Sequence, residues 1–208
     1  MAKITKIGDN VPSQDVLEER FFFIKNSTLR SNVAIAFRYI IFQLELLHET
    51  RIASAIKYSI YKDIILYTAT IVESCMHYLI KTHTDGGIID YKNIMGWEWK
   101  NETKKELYKI SRDRKVCGVV IHKSYKKLSH NTLFDELNKC AKRADLITPI
   151  MFNRLDELRI KRNKIHLAGL QEIDDYYQDK DIQECFNIAK EVIEHIEKLC
   201  NKISNDSQ

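Results

Sequence analysis

Turning residues are scarce in this chain: its 208 residues hold only 6 glycines and 2 prolines. A β-sandwich needs a turn about every eight to twelve residues, so that scarcity argues against an all-β fold and for long helices. Cysteine is present but unpatterned. Cys75, Cys117, Cys140, Cys185 and Cys200 form no C-x-x-C pair and no zinc-ligand spacing. An odd, scattered set reads as reduced thiols, not as a disulfide frame. No apolar run approaches the roughly 18 residues of a membrane helix. The richest, near Asp63 to Ile80, carries Asp63 and Glu73. The N-terminal MAKITKIGDN lacks the apolar centre of a secretion signal. A Gly-rich phosphate loop, a nucleophile elbow and a paired-carboxylate hydrolase pattern are also missing. These absences lead to the expectation of a cytoplasmic protein with no membrane association.

What is there is apolar and charged in balance. Hydrophobic residues make up 44% and charged residues 30%, which fits one globular domain and excludes wholesale disorder. The formal net charge of +4 permits RNA contact without demanding it.

Residues 1–30 read as an N-terminal arm and a short helix, with Phe21 to Ile24 as an apolar cluster suited to a lid or an oligomer contact. Residues 31–203 read as one helical domain, and 204–208 as a disordered tail. Ser31 or Asn32 could cap a helix to about Thr50, with Val33, Phe37, Ile40, Ile41, Leu44 and Leu47 at helical spacing. Residues 52–83 continue as a second long helix through Ile56, Ile60, Ile64, Ile71, Cys75 and Leu79. Glu73 interrupts that apolar pattern, so it is either on the solvent side or buried and paired. The Gly86-Gly87 stop follows. Residues 86–131 read as an irregular insertion: Lys100 to Lys115 as part helix, VCGVVIHKSY as a strand or half a hairpin. Periodicity returns at Leu133 to Ala144. Thr148-Pro149 then caps a helix to about Leu167, a polar loop follows, and a last helix runs from about Asp181 to Ile203. The fold class expected is all-α, a four-helix up-and-down bundle with a possibly β-containing insertion at 86–131.

The candidate site lies in LDELRIKRNKIHLAGL, Leu155 to Leu170. Met151, Leu158 and Ile165 form an apolar stripe, with Leu155 near its border. Arg159 and His166 are seven apart and share a face, with Arg162 and Asn163 beside His166. Two guanidiniums, an amide and an imidazole thus crowd the edge of the core stripe, where a crevice against another helix would form. RNA can be cut without a metal if its 2′-OH attacks the neighbouring phosphate. An imidazole suits the proton transfer and a guanidinium fork suits the phosphate charge. His166 is assigned the proton transfer, Arg159 and Arg162 the phosphate, and Asn163 the orientation of the ring or the 2′-OH. The plain alternative for both arginines is pairing with Asp156, Glu157 or Glu73; Glu73 could also support the site by holding an arginine in place. Lys123, Lys126 and Lys127, near Tyr125, could follow an RNA backbone. Trp97 and Trp99 could stack on bases, or pack the insertion onto the bundle. The other histidines (His48, His77, His83, His122, His130, His195) show no ligand spacing, and no metal or cofactor is expected.

An arginine followed six residues later by a histidine, on the third core helix of such a bundle, resembles the HEPN superfamily (higher eukaryotes and prokaryotes nucleotide-binding). The wording ELRIKRNKIHLAG and the helix IVESCMHYLI with Glu73 are similar to its third and second core helices. The likeness covers about residues 31–83 and 132–203. It implies a metal-independent endoribonuclease with Arg159 and His166 as the matching pair. It also implies a homodimer whose facing motif helices make a composite active site, in a prokaryotic toxin or phage-defence role with a possible antitoxin or defence-system partner. Two departures stand out. The family favours a polar residue after the motif arginine, where Ile160 stands, and its modified toxins carry a tyrosine at the place of Ala168. The alternative is a non-catalytic HEPN-like module binding nucleotide, RNA or a partner protein; a plain dimerisation domain is a third.

Overall fold

Ser54 to Asp85 forms a single helix of 32 residues, about 48 Å long at 1.5 Å per residue. It is the spine of the molecule. The computed structural model describes Gly8, residues 10–164 and residues 177–206. In chain order these form α1 (Gln14–Glu19), α2 (Ser27–Glu49), α3 (Ser54–Asp85), α4 (Tyr91–Ile94), β1 (Trp97–Lys109), β2 (Lys115–Tyr125), α5 (Phe134–Arg143), α6 (Pro149–Asn163) and α7 (Asp179–Asp206). The class is mainly helical with one small antiparallel sheet. α3 packs against α2, α5, α6 and α7, while α6 also meets α5 and α7. Ile64, Val72, Cys75, Met76, Leu79 and Ile80 on α3 are all fully buried, which is why this helix can serve so many neighbours. Among the described residues, no helix is long and apolar enough to cross a membrane.

Several helix ends follow local chemistry. The Thr148 hydroxyl accepts from the Met151 amide and Pro149 fills the first helical position, where a missing N–H costs nothing. Gly86 closes α3 and Gly87, at φ +72°, turns the chain away. The start of α2 differs from expectation. Its cap is Asn26, not Ser31 or Asn32, because the Asn26 Oδ1 already satisfies the Leu29 amide at 2.8 Å. Of the Phe21 to Ile24 cluster, Phe21, Phe23 and Ile24 are buried in the main core, with Phe21 edge-on to Phe37 of α2, while Phe22 is 63% exposed. Conversely, Ile56 is 58% exposed despite matching the helical spacing of the core. The last helix continues to Asp206, past the expected end at Ile203.

The insertion is the largest departure. Lys100 to Lys115 is not part helix: β1, 13 residues, and β2, 11 residues, pair in a hairpin from Trp97 opposite Tyr125 to Lys109 opposite Lys115. Lysine and glutamate favour a helix locally, but the β-branched run of β2 offers a ladder partner, and pairing overrides propensity. Register shifts at Glu102 and Leu107 mark two bulges in β1, which sharpen the twist of the ribbon. At about 3.3 Å per residue the ribbon is roughly 40 Å long. All of β1 except Glu98 is exposed, so the ribbon stands off the bundle as an arm. Its root is fastened. The Lys126 amide donates to the Gly96 carbonyl at 3.0 Å, Lys126 Nζ meets Glu136 of α5 at 2.6 Å, and Arg143 of α5 donates to the Ile94 carbonyl at 2.7 Å.

Candidate functional site

The apolar stripe of α6 is where the spacing places it: Met151, Leu155 and Leu158 are buried against the core. That seats the polar residues at the rim. α6 ends at Asn163, with Lys164 as its C-cap, short of the expected Leu167. Ile165 and His166 lie outside the described residues, so the pairing of Arg159 with His166 is placed by sequence alone.

Three cations in four positions at the end of α6 reach three different helices. A helix carboxyl terminus favours such charge. Arg159 and Arg162, about 60° apart around the axis, lean to the same side, and Lys161 to another. Arg159 Nε donates to Asp156 Oδ1 at 2.7 Å and lies 3.9 Å from Asp135 of α5. Its bond to Asp156 holds it protonated above the usual guanidinium range, against some loss from burial. Arg162 Nη2 donates to Glu73 Oε2 of α3 at 3.1 Å. Their side chains are 30% and 21% exposed, so this pair is reachable from solvent without being free in it. Glu73 is therefore the paired carboxylate of the two options its sequence left. Burial raises its pKa by more than Arg162 lowers it. Lys161 is half-withdrawn from water, which works against its charge, but bonds to Asp181 at 2.8 Å and Glu184 at 2.6 Å on α7 raise its pKa nonetheless. The Tyr177 hydroxyl closes the same corner by donating to the Lys161 carbonyl at 2.8 Å. Asn163 is exposed.

α3 adds a group that sequence reasoning passed over. His77 stands one turn after Glu73, and its Nε2 lies 3.1 Å from the Ser129 carbonyl. A carbonyl can only accept, so Nε2 carries the proton and Nδ1 is left as an acceptor. Burial lowers the pKa of this ring, the Ser129 carbonyl pulls it back, and the charges of Lys81 and His130 lower it again. The four-residue spacing of Glu73 and His77 on one helix face was the available signal.

The lysines assigned to RNA separate into roles. Lys126 is committed to Glu136. Lys123 lies over the Trp97 ring at 4.8 Å, and that ring stacks on Tyr125 with centroids 3.7 Å apart. Lys127 is exposed. The crevice expected beside Arg159 has a counterpart on another side of α6. A cleft of about 250 Å³ between α6 and α7 is lined by Arg154, Glu157, Lys180 and Glu184, and not by Arg159 or Arg162.

None of the five cysteines forms a disulfide, and four are buried. Burial pushes Cys75 and Cys185 up to about 12, and Cys140 and Cys200 to about 11, which leaves them un-ionised at neutral pH. Among the described residues no group of three His, Cys, Asp or Glu side chains is arranged to hold a metal ion. No family model matches the chain, and neither a curated protein nor a solved structure matches it.

Proposed function

We propose that the chain is a HEPN-like helical bundle acting as a metal-independent endoribonuclease, in a toxin or phage-defence role and as a homodimer. The observation that carries this reading is the rim of α6. There two partly exposed guanidiniums are each held in place by carboxylates, one of them Glu73 from α3, immediately before His166 in sequence. Anchored forks of this kind suit a phosphate better than free ones, because less freedom is lost on binding. In the reaction the RNA 2′-oxygen attacks phosphorus as its proton passes to a base. The bond from phosphorus to the 5′-oxygen breaks and that oxygen takes a proton. A 2′,3′-cyclic phosphate and a 5′-hydroxyl result. His166 handles the protons, Arg159 and Arg162 neutralise the phosphate, Asn163 orients the ring or the 2′-OH, and Glu73 positions Arg162.

The test is cleavage of RNA by purified protein in EDTA. Wild type yields cyclic-phosphate ends, and His166→Ala loses about 10²- to 10⁴-fold in rate. Undiminished cutting by that variant removes the assignment. One observation favours a second reading: both guanidiniums already carry carboxylate partners, as they would in a non-catalytic module. Such a module binds nucleotide, RNA or a partner protein without cleaving RNA, and its affinity for a polyanion falls with salt.

A further inference from the structure

The bundle is electrically neutral; the arm is not. Residues 97–125 contain eight Lys and Arg (100, 104, 105, 109, 112, 114, 115, 123) against four Asp and Glu (98, 102, 106, 113). Eight minus four is +4, the net charge of the whole chain, so the other residues balance at 25 against 25. Only Lys100 and Lys115 of these cations have a carboxylate partner. Directly paired residues share a face of a ribbon, and faces alternate along a strand. The register therefore puts Trp97, Trp99, Lys123, Tyr125, Lys104 and Lys109 on one face, together with Glu106, whose carboxylate is taken up by Lys115 on that face. The aromatic rings lie toward the root and the ammonium groups continue toward the tip. Trp99 is 66% exposed, and among the described residues no ring or cation covers it.

We propose that this face of the arm is a docking track for an unpaired RNA strand. A polyanion answers an isolated excess of unpartnered lysine, and a single strand offers base faces to an open indole, which a duplex keeps stacked inside. A second copy of the chain would bring the same +4 against itself. The root adds direction. It is fastened to α5, whose Asp135 lies 3.9 Å from Arg159, and the exit segment passes His77, one turn from Glu73. A strand lying on the arm is thus delivered to the rim of α6. The choice of RNA over DNA rests on the proposed nuclease reading; the strand itself rests on the arm alone.

The experiment is fluorescence anisotropy of the full-length chain with labelled oligouridine, oligo-dT of equal length and an RNA duplex, across a salt series. Two variants are compared with wild type: Trp99→Ala, and the pair Lys104→Gln with Lys109→Gln. The duplex binds more weakly than oligouridine. Trp99→Ala weakens oligouridine binding about tenfold and keeps the salt slope, since base stacking is uncharged. The double lysine variant lowers the slope by about 1.4, roughly 0.7 per lost contact. Circular dichroism and melting temperature stay at wild-type values, because the arm lies outside the core. Wild-type affinity in both variants overturns the proposal. So does tighter binding of duplex, or variants that change oligomeric state while holding oligouridine equally well. Stronger binding of oligo-dT than of oligouridine overturns the RNA assignment. Binding is read with 2′-O-methyl oligouridine, which has no free 2′-OH to attack the phosphate, so His166→Ala that keeps this affinity but loses cleavage of unmodified RNA upholds both readings. His166→Ala that cuts normally while arm variants lose affinity removes the His166 assignment and keeps the arm.

Discussion

Removing Arg162 and removing Glu73 should have unequal consequences, although each breaks the same 3.1 Å contact. Opposite charges about 4 Å apart attract by about 4 kcal/mol at an effective dielectric near 20. That gross gain is spent largely on dehydrating the carboxylate, since burial outweighs the guanidinium and leaves the Glu73 pKa raised. Arg162→Met therefore strands an ionised, half-buried carboxylate and costs about 2 kcal/mol near pH 8. Glu73→Gln leaves a guanidinium with 30% of its side chain in water, costing less than about 1 kcal/mol. Adding Glu73→Gln to Arg162→Met should return much of the lost stability. A carboxyl whose folded pKa is raised contributes stability that is present below its unfolded value and lost as pH rises through the folded one. The cost of Arg162→Met is accordingly smaller at acid pH, where a proton neutralises the stranded carboxyl. Urea melts followed by far-UV circular dichroism under both conditions measure all four proteins of the cycle. Equal costs for the two single variants, or a cost of Arg162→Met that ignores pH, would refute the reasoning.

Other outcomes follow from the same structure. Leu155→Ala, at a fully buried position of α6, should cost about 3 kcal/mol and lower the melting temperature by about 6–12 °C, read by calorimetry. Burial raises the Asp181 pKa, but the bond from Lys161 and the Gln178 amide more than reverse this, leaving it lowered. The stability so gained is present above the unfolded carboxylate pKa and lost as pH falls through the folded one. Asp181→Asn should thus cost about 1–2 kcal/mol at neutral pH and progressively less as pH falls below the ordinary carboxylate range, in paired urea melts. A thiol reagent should titrate Cys117, the one cysteine that is not buried, in the native protein, and all five after unfolding. Prompt native reaction of more than one thiol would contradict the burial of the other four.

Legibility in the sequence tracked how local each cause is. The Thr148-Pro149 cap and the Met151, Leu155, Leu158 stripe are decided within one or two helical turns, and both were readable. The contact between Glu73 and Arg162 spans 89 positions, so sequence could offer it only as one of several partners. Lys100 to Lys115 misled because composition favours a helix where a distant β-branched partner makes a ladder. His77 has no metal-ligand spacing, and only its four-residue distance from Glu73 on one helix face marks it in the sequence. Leu44 and Ile56 matched the core period yet remain exposed, since a period identifies a face and not what covers it.

Gly96, at φ +73°, adopts a backbone shape that side chains disfavour, just where its carbonyl ties the two legs of the hairpin together. A ribbon of roughly 40 Å leaving the fastened root there has the proportions of a lever. A tilt of only about 10° at the glycine sweeps the far end through about 7 Å, roughly two residues of strand. Gly96→Ala would strain that backbone shape and so shift the direction in which the ribbon leaves, altering where the tip lies without touching anything at the tip.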